Sequence, residues 1–189
     1  MLIGLISDTH GSAKSFQKVL DGPFKDVELI LHAGDVLYHG ARSRLAQGHS
    51  VDGLEGTIKR LTTPIIVARG NCDSEADERM LNIPLMSPYV FLYIDGKRIM
   101  LLHGDGRKEG DFEDLIIRFH LAVLVHGHTH IPRIRKVGAG LIVNPGTPTI
   151  PNPSSRFKKT VAILDTVLSH VMVQDIDSGE TVLEGAFGQ

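Results

Sequence analysis

"LAVLVHGHTH", residues 121–130, carries an apolar run from Leu121 to Val125 into Gly127-His128-Thr129-His130, with His126 at the junction. A short apolar run of this kind reads as a buried strand. The histidines that end it need a reason, because an imidazole is costly to bury without a partner. The same pattern recurs along the chain. Leu2 to Ile6 runs into Ser7-Asp8-Thr9-His10, and Val27 to Leu31 precedes Gly34-Asp35. Ile65 to Ala68 precedes Gly70-Asn71-Cys72-Asp73, and Arg98 to Leu102 precedes His103-Gly104. In open α/β sheets ligands bind beyond the carboxyl ends of the strands, so all five polar groups are predicted to meet in space.

The intervening segments complete the fold class. Ser12 is placed to cap a helix carrying Phe16, Val19 and Leu20 on one face, and Val51, Leu54, Ile58 and Leu61 recur at helical spacing. The chain therefore starts β-α-β-α-β. In the second half, Tyr89 to Ile94 and Arg98 to Leu102 flank Asp95-Gly96-Lys97, a hairpin signal, and Asp111 to His120 is helix-like. Strands are predicted at Arg133 to Val137, Leu141 to Asn144, Val161 to Leu164, Val167 to Val173 and Thr181 to Leu183. Asn144 to Ser155, rich in Pro, Gly, Asn, Ser and Thr, reads as a long loop. Parallel units followed by antiparallel strands predict an α/β protein of two packed sheets with helices outside.

Composition bounds what this fold can do. At 189 residues the chain is expected to form one domain, 1–189, since domains commonly run to about 100–200 residues. A net charge of -2, with no basic run longer than Lys158-Lys159, argues against a nucleic-acid surface, so any phosphate binding must be local. The single cysteine, Cys72, has no intramolecular disulfide partner, and Met1 to Ser7 lacks the basic start and length of a signal peptide. No apolar stretch reaches the roughly 18 residues of a membrane span. These features lead us to expect a cytoplasmic protein that does not partner a membrane.

The residue types at the strand ends suit divalent metal ions. Carboxylate, imidazole and amide oxygen are their ligands, and no thiolate cluster points to structural zinc. Asp8 with His10, and His128 with His130, stand two apart, so an extended backbone would turn each pair to one side. Glycines at 34, 70, 104 and 127 let the backbone approach a cluster closely. Taken singly, Asp-x-His is commonly a turn, His103 a hydrogen-bonded core histidine, and Asn71-Cys72-Asp73 a turn or cap. As a set they are hard to dismiss. An accidental cluster would leave several imidazoles and carboxylates desolvated without partners.

The order Asp-x-His, Gly-Asp, Gly-Asn-x-Asp, His-Gly, Gly-His-Thr-His resembles the calcineurin-like metallophosphoesterase superfamily. The stretches SDTHGS, GDVLYHG, RGNCDSEAD and GHTHIP resemble its small bacterial phosphodiesterases of the YfcE type. The resemblance implies a four-layer αββα sandwich of two packed mixed β-sheets flanked by helices. It also implies a binuclear metal-dependent phosphodiesterase acting on a small phosphodiester. Two divalent ions are implied, manganese foremost, with Zn²⁺, Fe²⁺, Ni²⁺ or Mg²⁺ as alternatives. Carried over by motif, Asp8, His10 and His130 would hold the first ion, Asn71, His103 and His128 the second, and Asp35 would bridge them. The implied chemistry is attack on phosphorus by a hydroxide bridging the ions, with Asp8, Asp35, Asn71 and His103 positioning hydroxide and phosphate. His126 precedes the motif and is read as structural or as support for a ligand.

Two departures from the family pattern bear on mechanism. Cys72 follows Asn71 where many superfamily members place a histidine able to protonate the leaving group. A thiol is a poorer acid for that task, so aryl diesters are expected to be cleaved better than alkyl diesters; a small residue without chemical role is the other reading. Asp105 stands where related sequences often read His-Gly-His, which removes any role of that second histidine. His39 and Arg42, in the loop after Asp35, could reach a substrate phosphate or lie in a solvated loop. Other readings compete: a metal-free interaction scaffold, as in the retromer subunit of this fold, a phosphomonoesterase, a nucleotide or cyclic-nucleotide phosphodiesterase, and a nuclease, which the missing basic stripe disfavours. Exposed sheet edges leave a homo-oligomer open.

Overall fold

A computed structural model describes residues 1–38 and 46–188. In chain order the first half holds β1 (Leu2–Ile6), α1 (Ala13–Asp21), β2 (Leu29–His32), α2 (Val51–Lys59), β3 (Ile65–Ala68), α3 (Glu75–Leu81) and β4 (Leu85–Met86). The hairpin β5 (Val90–Ile94) and β6 (Lys97–Leu101) follows, then α4 (Glu109–Phe119), β7 (Val123–Val125), β8 (Arg133–Val137) and β9 (Gly140–Asn144). β10 (Thr160–Asp165), β11 (His170–Asp175) and β12 (Thr181–Ala186) complete the chain.

The strands form two sheets. One is ordered β12-β11-β10-β1-β2-β3-β4, with β1 to β4 parallel and β10 to β12 added antiparallel beside β1. The other is ordered β5-β6-β7-β9-β8, with β6, β7 and β9 parallel and β5 and β8 antiparallel at its edges. Both are mixed.

Side-chain alternation explains why the apolar runs are unbroken. Ile3, Leu5, Leu29 and Leu31 meet Ile99, Leu101, Val123 and Val125 between the sheets. Ile6, Ile30 and Val67 point the other way, against Phe16, Val19, Leu54 and Ile58 of the first-half helices. Met100, Leu102, Leu124 and Ile142 pack outward against Phe112 and Ile116 of α4. Every central strand is thus covered on both faces, which demands near-continuous hydrophobicity. The layers run helices, sheet, sheet, helix: the αββα sandwich that the motifs imply. Among the described residues no helix is long and apolar enough to cross a membrane.

Local signals account for most element ends. Ser12 Oγ accepts the Ser15 N–H at the start of α1, and Ser50 Oγ accepts the Gly53 N–H at the start of α2. Asp95 and Gly96 both have positive φ, as a two-residue hairpin turn of this hand requires. Elsewhere the boundaries differ from expectation. Asp165 Oδ1 accepts the N–H groups of Val167 and Leu168, making a turn whose tip exposes both side chains, so β11 begins only at His170. His120 ends α4 in the left-handed region, and Leu121 and Ala122 are spent on the turn before β7. Two elements, α3 and β4, were not anticipated.

Candidate metal centre

The five polar groups do meet. Asp8 N–H donates to Gly34 O (3.0 Å), His10 N–H to Asp35 O (3.1 Å), and Gly127 N–H to His103 O (2.9 Å), so adjacent strand ends are tied together. The route differs from the extended backbone expected of the two Asp/His-x-His pairs. Asp8 (φ 56°), His10 (44°), Asp35 (58°), His128 (67°) and His130 (58°) all lie in the left-handed region. Non-glycine residues occupy it at a cost, and such strain concentrates where surrounding structure and function enforce it.

The first group of polar atoms gathers around Asp8. Its buried carboxylate takes the His128 N–H on Oδ2 (3.0 Å), while Oδ1 receives no hydrogen bond. Oδ1 faces His130 Nε2 at 3.3 Å and His10 Nε2 at 3.8 Å, and those two nitrogens are 3.1 Å apart. His130 Nδ1 lies 2.6 Å from Ile150 O; a carbonyl only accepts, so this nitrogen carries the hydrogen. In the neutral ring Nε2 then presents a lone pair toward Asp8. Two imidazole nitrogens and a carboxylate oxygen thus converge on one point, as the ligands of a metal ion do.

A second group has the same character. His103 Nδ1 donates to Ala33 O (2.7 Å), which leaves Nε2 facing Asn71 Oδ1 at 3.0 Å and Asp35 Oδ2 at 3.4 Å. His128 Nδ1 approaches the same Asn71 oxygen at 2.9 Å. Asp35 Oδ1 accepts the Cys72 N–H (2.8 Å). Ligand atoms of Asp8, His10 and His130 lie within 4.8 Å of one another, as do those of Asp8, Asp35 and His103. Asp8 is common to both sets.

Electrostatics agree with a cation site. Burial opposes ionisation of Asp8, yet the His130 ring beside it holds its pKa below the ordinary value. Asp35 is likewise buried and likewise held low, chiefly by His103. Burial lowers His103, but the hydrogen bond to Asp35 and the charges of Asp8 and Asp35 outweigh it and push the ring up to about 9. Two carboxylates kept anionic out of solvent, with imidazole nitrogens and an amide oxygen around them, fit hard-to-borderline divalent ions.

A supporting layer was not read from the sequence as such. The buried Asp73 carboxylate accepts the N–H groups of Asp35, Val36 and Gly70, each at 2.8 Å, and so fixes two of the ligand-bearing loops. Its signal was the last letter of Gly-Asn-x-Asp. Thr147 and Thr149 hydroxyls both donate to Asp8 O (2.8 and 2.9 Å). Gly127 has no room for a side chain: a Cβ there would lie 2.7 Å from Asp8 Oδ2. His32 accepts the Gly34 N–H on Nδ1 (3.1 Å) and reaches Thr9 Oγ1 from Nε2 (3.0 Å); burial pulls its pKa down to about 4. His126 stays out of the cluster, stacked on Phe112 with ring centroids 4.4 Å apart.

The remaining candidates separate. Cys72 sits beside the cluster, its Sγ accepting from Asn71 Nδ2 (3.3 Å), and burial with the Asp35 charge pushes the thiol up to about 12. Asp105 is exposed on the turn after Gly104 and makes no hydrogen bond or ion pair among the described residues. His39 and Arg42 lie outside the described residues. Beside the cluster a cleft of about 270 Å³ opens, lined by the histidines together with Tyr38, Ile150, Pro151 and Pro153.

Comparisons with known proteins agree with this architecture. The profile of the calcineurin-like phosphoesterase superfamily domain matches residues 1–168. Phosphodiesterase YfcE of Escherichia coli is 33% identical over 159 residues, covering 82% of this chain and 85% of that protein. A probable metallophosphoesterase of Methanothermobacter thermautotrophicus is 34% identical over 157 residues, covering 80% and 79%. The solved structure of the E. coli Yfce phosphoesterase superposes with a TM-score of 0.83 at 27% identity, covering 100% of both chains. Zinc-complexed Vps29 from Entamoeba histolytica has a TM-score of 0.68 at 17% identity over the whole of both chains, which speaks for the fold alone. With its fold and strand-end motifs in place, the chain belongs to the calcineurin-like phosphoesterase superfamily.

Proposed function

We propose that this protein is a metal-dependent phosphodiesterase whose centre is formed by Asp8, His10, Asp35, Asn71, His103, His128 and His130. The observation that carries the reading is the buried Asp8 Oδ1, which has no hydrogen-bond donor and faces two imidazole nitrogens. A divalent ion would satisfy that arrangement. The E. coli relative named a phosphodiesterase supports the reaction class.

In this reading Asp8, His10 and His130 hold one divalent ion, Asn71, His103 and His128 hold another, and Asp35 lies between. Manganese is the first candidate, and zinc, iron, nickel and magnesium share the donor chemistry. Such ions, when bound, supply hydroxide at neutral pH and offset the charge of the phosphate under in-line attack. The chain's own contribution is orientation. Ile150 O and Ala33 O fix the tautomers of His130 and His103, so that Nε2 of each ring faces the centre. Asp8 and Asp35 keep fixed negative charge out of solvent, and Asn71 adds a neutral oxygen. Cys72 holds its proton at neutral pH, which makes it a weak donor to a departing alkoxide.

The test is hydrolysis of bis(p-nitrophenyl) phosphate against p-nitrophenyl phosphate by metal-stripped protein, with Mn²⁺, Zn²⁺, Mg²⁺ or nothing restored. Metal-dependent cleavage favouring the diester is expected. Preference for the monoester would make the protein a phosphomonoesterase. No turnover with any metal, in protein shown to be folded, would reassign it to an interaction scaffold of the same fold.

A further inference from the structure

We propose that the cleft beside the centre receives the non-leaving substituent of the diester as a flat aromatic ring, seated against an apolar wall of Tyr38, Ile150, Pro151 and Pro153. This rests on the phosphodiesterase reading and names the substrate class for the same site.

The cleft has two kinds of lining. Polar edges of the centre, including His10, Asp35 and His128, line part of it, and the apolar residues of the wall line the rest. Among the described residues no lysine or arginine lines it. A short alkyl substituent would leave the wall wet. A ring covers it, and aromatic faces combine large apolar area with little conformational freedom to lose.

The wall is built in advance. Pro151 and Pro153 have fixed φ, and between them Asn152 is tied down: its Nδ2 donates to Thr129 O (3.0 Å), and its Oδ1 accepts the Ser154 N–H (3.0 Å) and hydroxyl (2.8 Å). Ile150 links wall to centre, because its carbonyl holds His130 Nδ1 at 2.6 Å while its side chain lines the cleft. Tyr38 closes the other flank edge-on to the His10 ring, with centroids 5.0 Å apart. A ring on the wall therefore stands in fixed relation to the histidines that border the reacting phosphate.

The experiment measures binding of phosphinates, which carry two P–C bonds and no ester to hydrolyse, to the manganese-loaded protein by calorimetry, so that it does not depend on turnover. Methyl(phenyl)phosphinate is expected to bind more tightly than dimethylphosphinate by on the order of tenfold, the scale of burying one ring. The ratio should fall toward one in Ile150→Ala, which keeps the carbonyl that holds His130, and in Pro153→Ala, which alters an exposed position. Equal affinities in the unaltered protein, or a preference that survives both substitutions, would overturn the proposal. 5′-Deoxythymidine carrying a methylphosphinate through a P–C bond at C5′ distinguishes two sources of the ring: affinity at or above the phenyl compound assigns a nucleobase, and weaker affinity a simple aryl group. Ring preference without hydrolysis of bis(p-nitrophenyl) phosphate would sink the phosphodiesterase reading alone. Hydrolysis without ring preference would sink this one alone.

Discussion

At the scale of single residues, Asp8 and Asp35 are buried carboxylates that each turn one oxygen toward imidazole nitrogens. Asp8→Asn or Asp35→Asn should abolish diester turnover and leave the circular dichroism spectrum and urea midpoint close to those of the parent. Activity within tenfold of the parent would remove the residue from the centre. Cys72 makes a different demand. With its thiol up at about 12, protonation of the leaving group is weak, so rates should fall steeply as leaving-group pKa rises. A set of diesters with phenols of graded acidity and one alkyl alcohol measures that slope, and a flat dependence would reveal another acid.

His32 carries a prediction about stability. Unfolded, it takes up a proton near its ordinary value of 6.5; folded, burial delays uptake to about 4. Its contribution is thus complete above pH 6.5 and is lost as the pH falls toward 4, by about 3 kcal/mol in all. Urea unfolding of the parent and of His32→Gln across that window should show a shallower acid limb in the variant. Superimposable limbs would mean that the ring is protonated within the fold.

At the scale of elements, the loop from Asn144 to Ser155 does more than connect strands. Thr147 and Thr149 hold the Asp8 carbonyl, and Ile150 holds His130, so the loop orients two ligands from behind. Removing both hydroxyls, in Thr147→Ala/Thr149→Ala, should weaken manganese binding by about 10- to 100-fold, as loss of such supporting partners usually does. A metal titration by calorimetry reads this directly, and an unchanged affinity would show the hydroxyls to be mere packing.

Legibility followed the same division. Strands buried on both faces announced themselves as apolar runs, and their polar endings gave the strand-end residues together with their order along the chain. What escaped was held by single side chains acting over short range. α3 depends on the Ser74–Asp77 capping box and buries little apolar surface beyond Leu81, so no period marks it; β4 is two residues long. The backbone geometry at Asp8, His10, His128 and His130 was misread as extended, because left-handed φ in non-glycine residues is imposed by tertiary contacts and leaves no mark on composition. Asp73 was visible as a letter in a motif, but its three backbone partners come from two loops that only the fold brings together.

At the scale of the molecule, metal and proton compete for one place. Below about pH 9 the metal-free site keeps a proton on His103, so loading near neutral pH must release it, and affinity should rise as the pH climbs toward 9. Calorimetry in buffers of unlike ionisation enthalpy counts the protons set free; none released would contradict the raised value. Binding also favours the folded chain. Free Mn²⁺ at a hundred times its dissociation constant should add about 2.7 kcal/mol of stability, reversed by a chelator.

The division of the ligand positions between the sheets has a mechanical consequence. Asp8, His10, Asp35 and Asn71 leave the ends of β1, β2 and β3, whereas His103, His128 and His130 leave the ends of β6 and β7. Away from the centre the two sheets meet chiefly through packed apolar side chains. An ion gripped from both sides would act as a rivet through the sandwich at one end, a jaw held shut at its tips. Amide hydrogen exchange should therefore slow on addition of manganese at the tips of β1 and β7 together, and barely change at the far hairpin of β10 and β11.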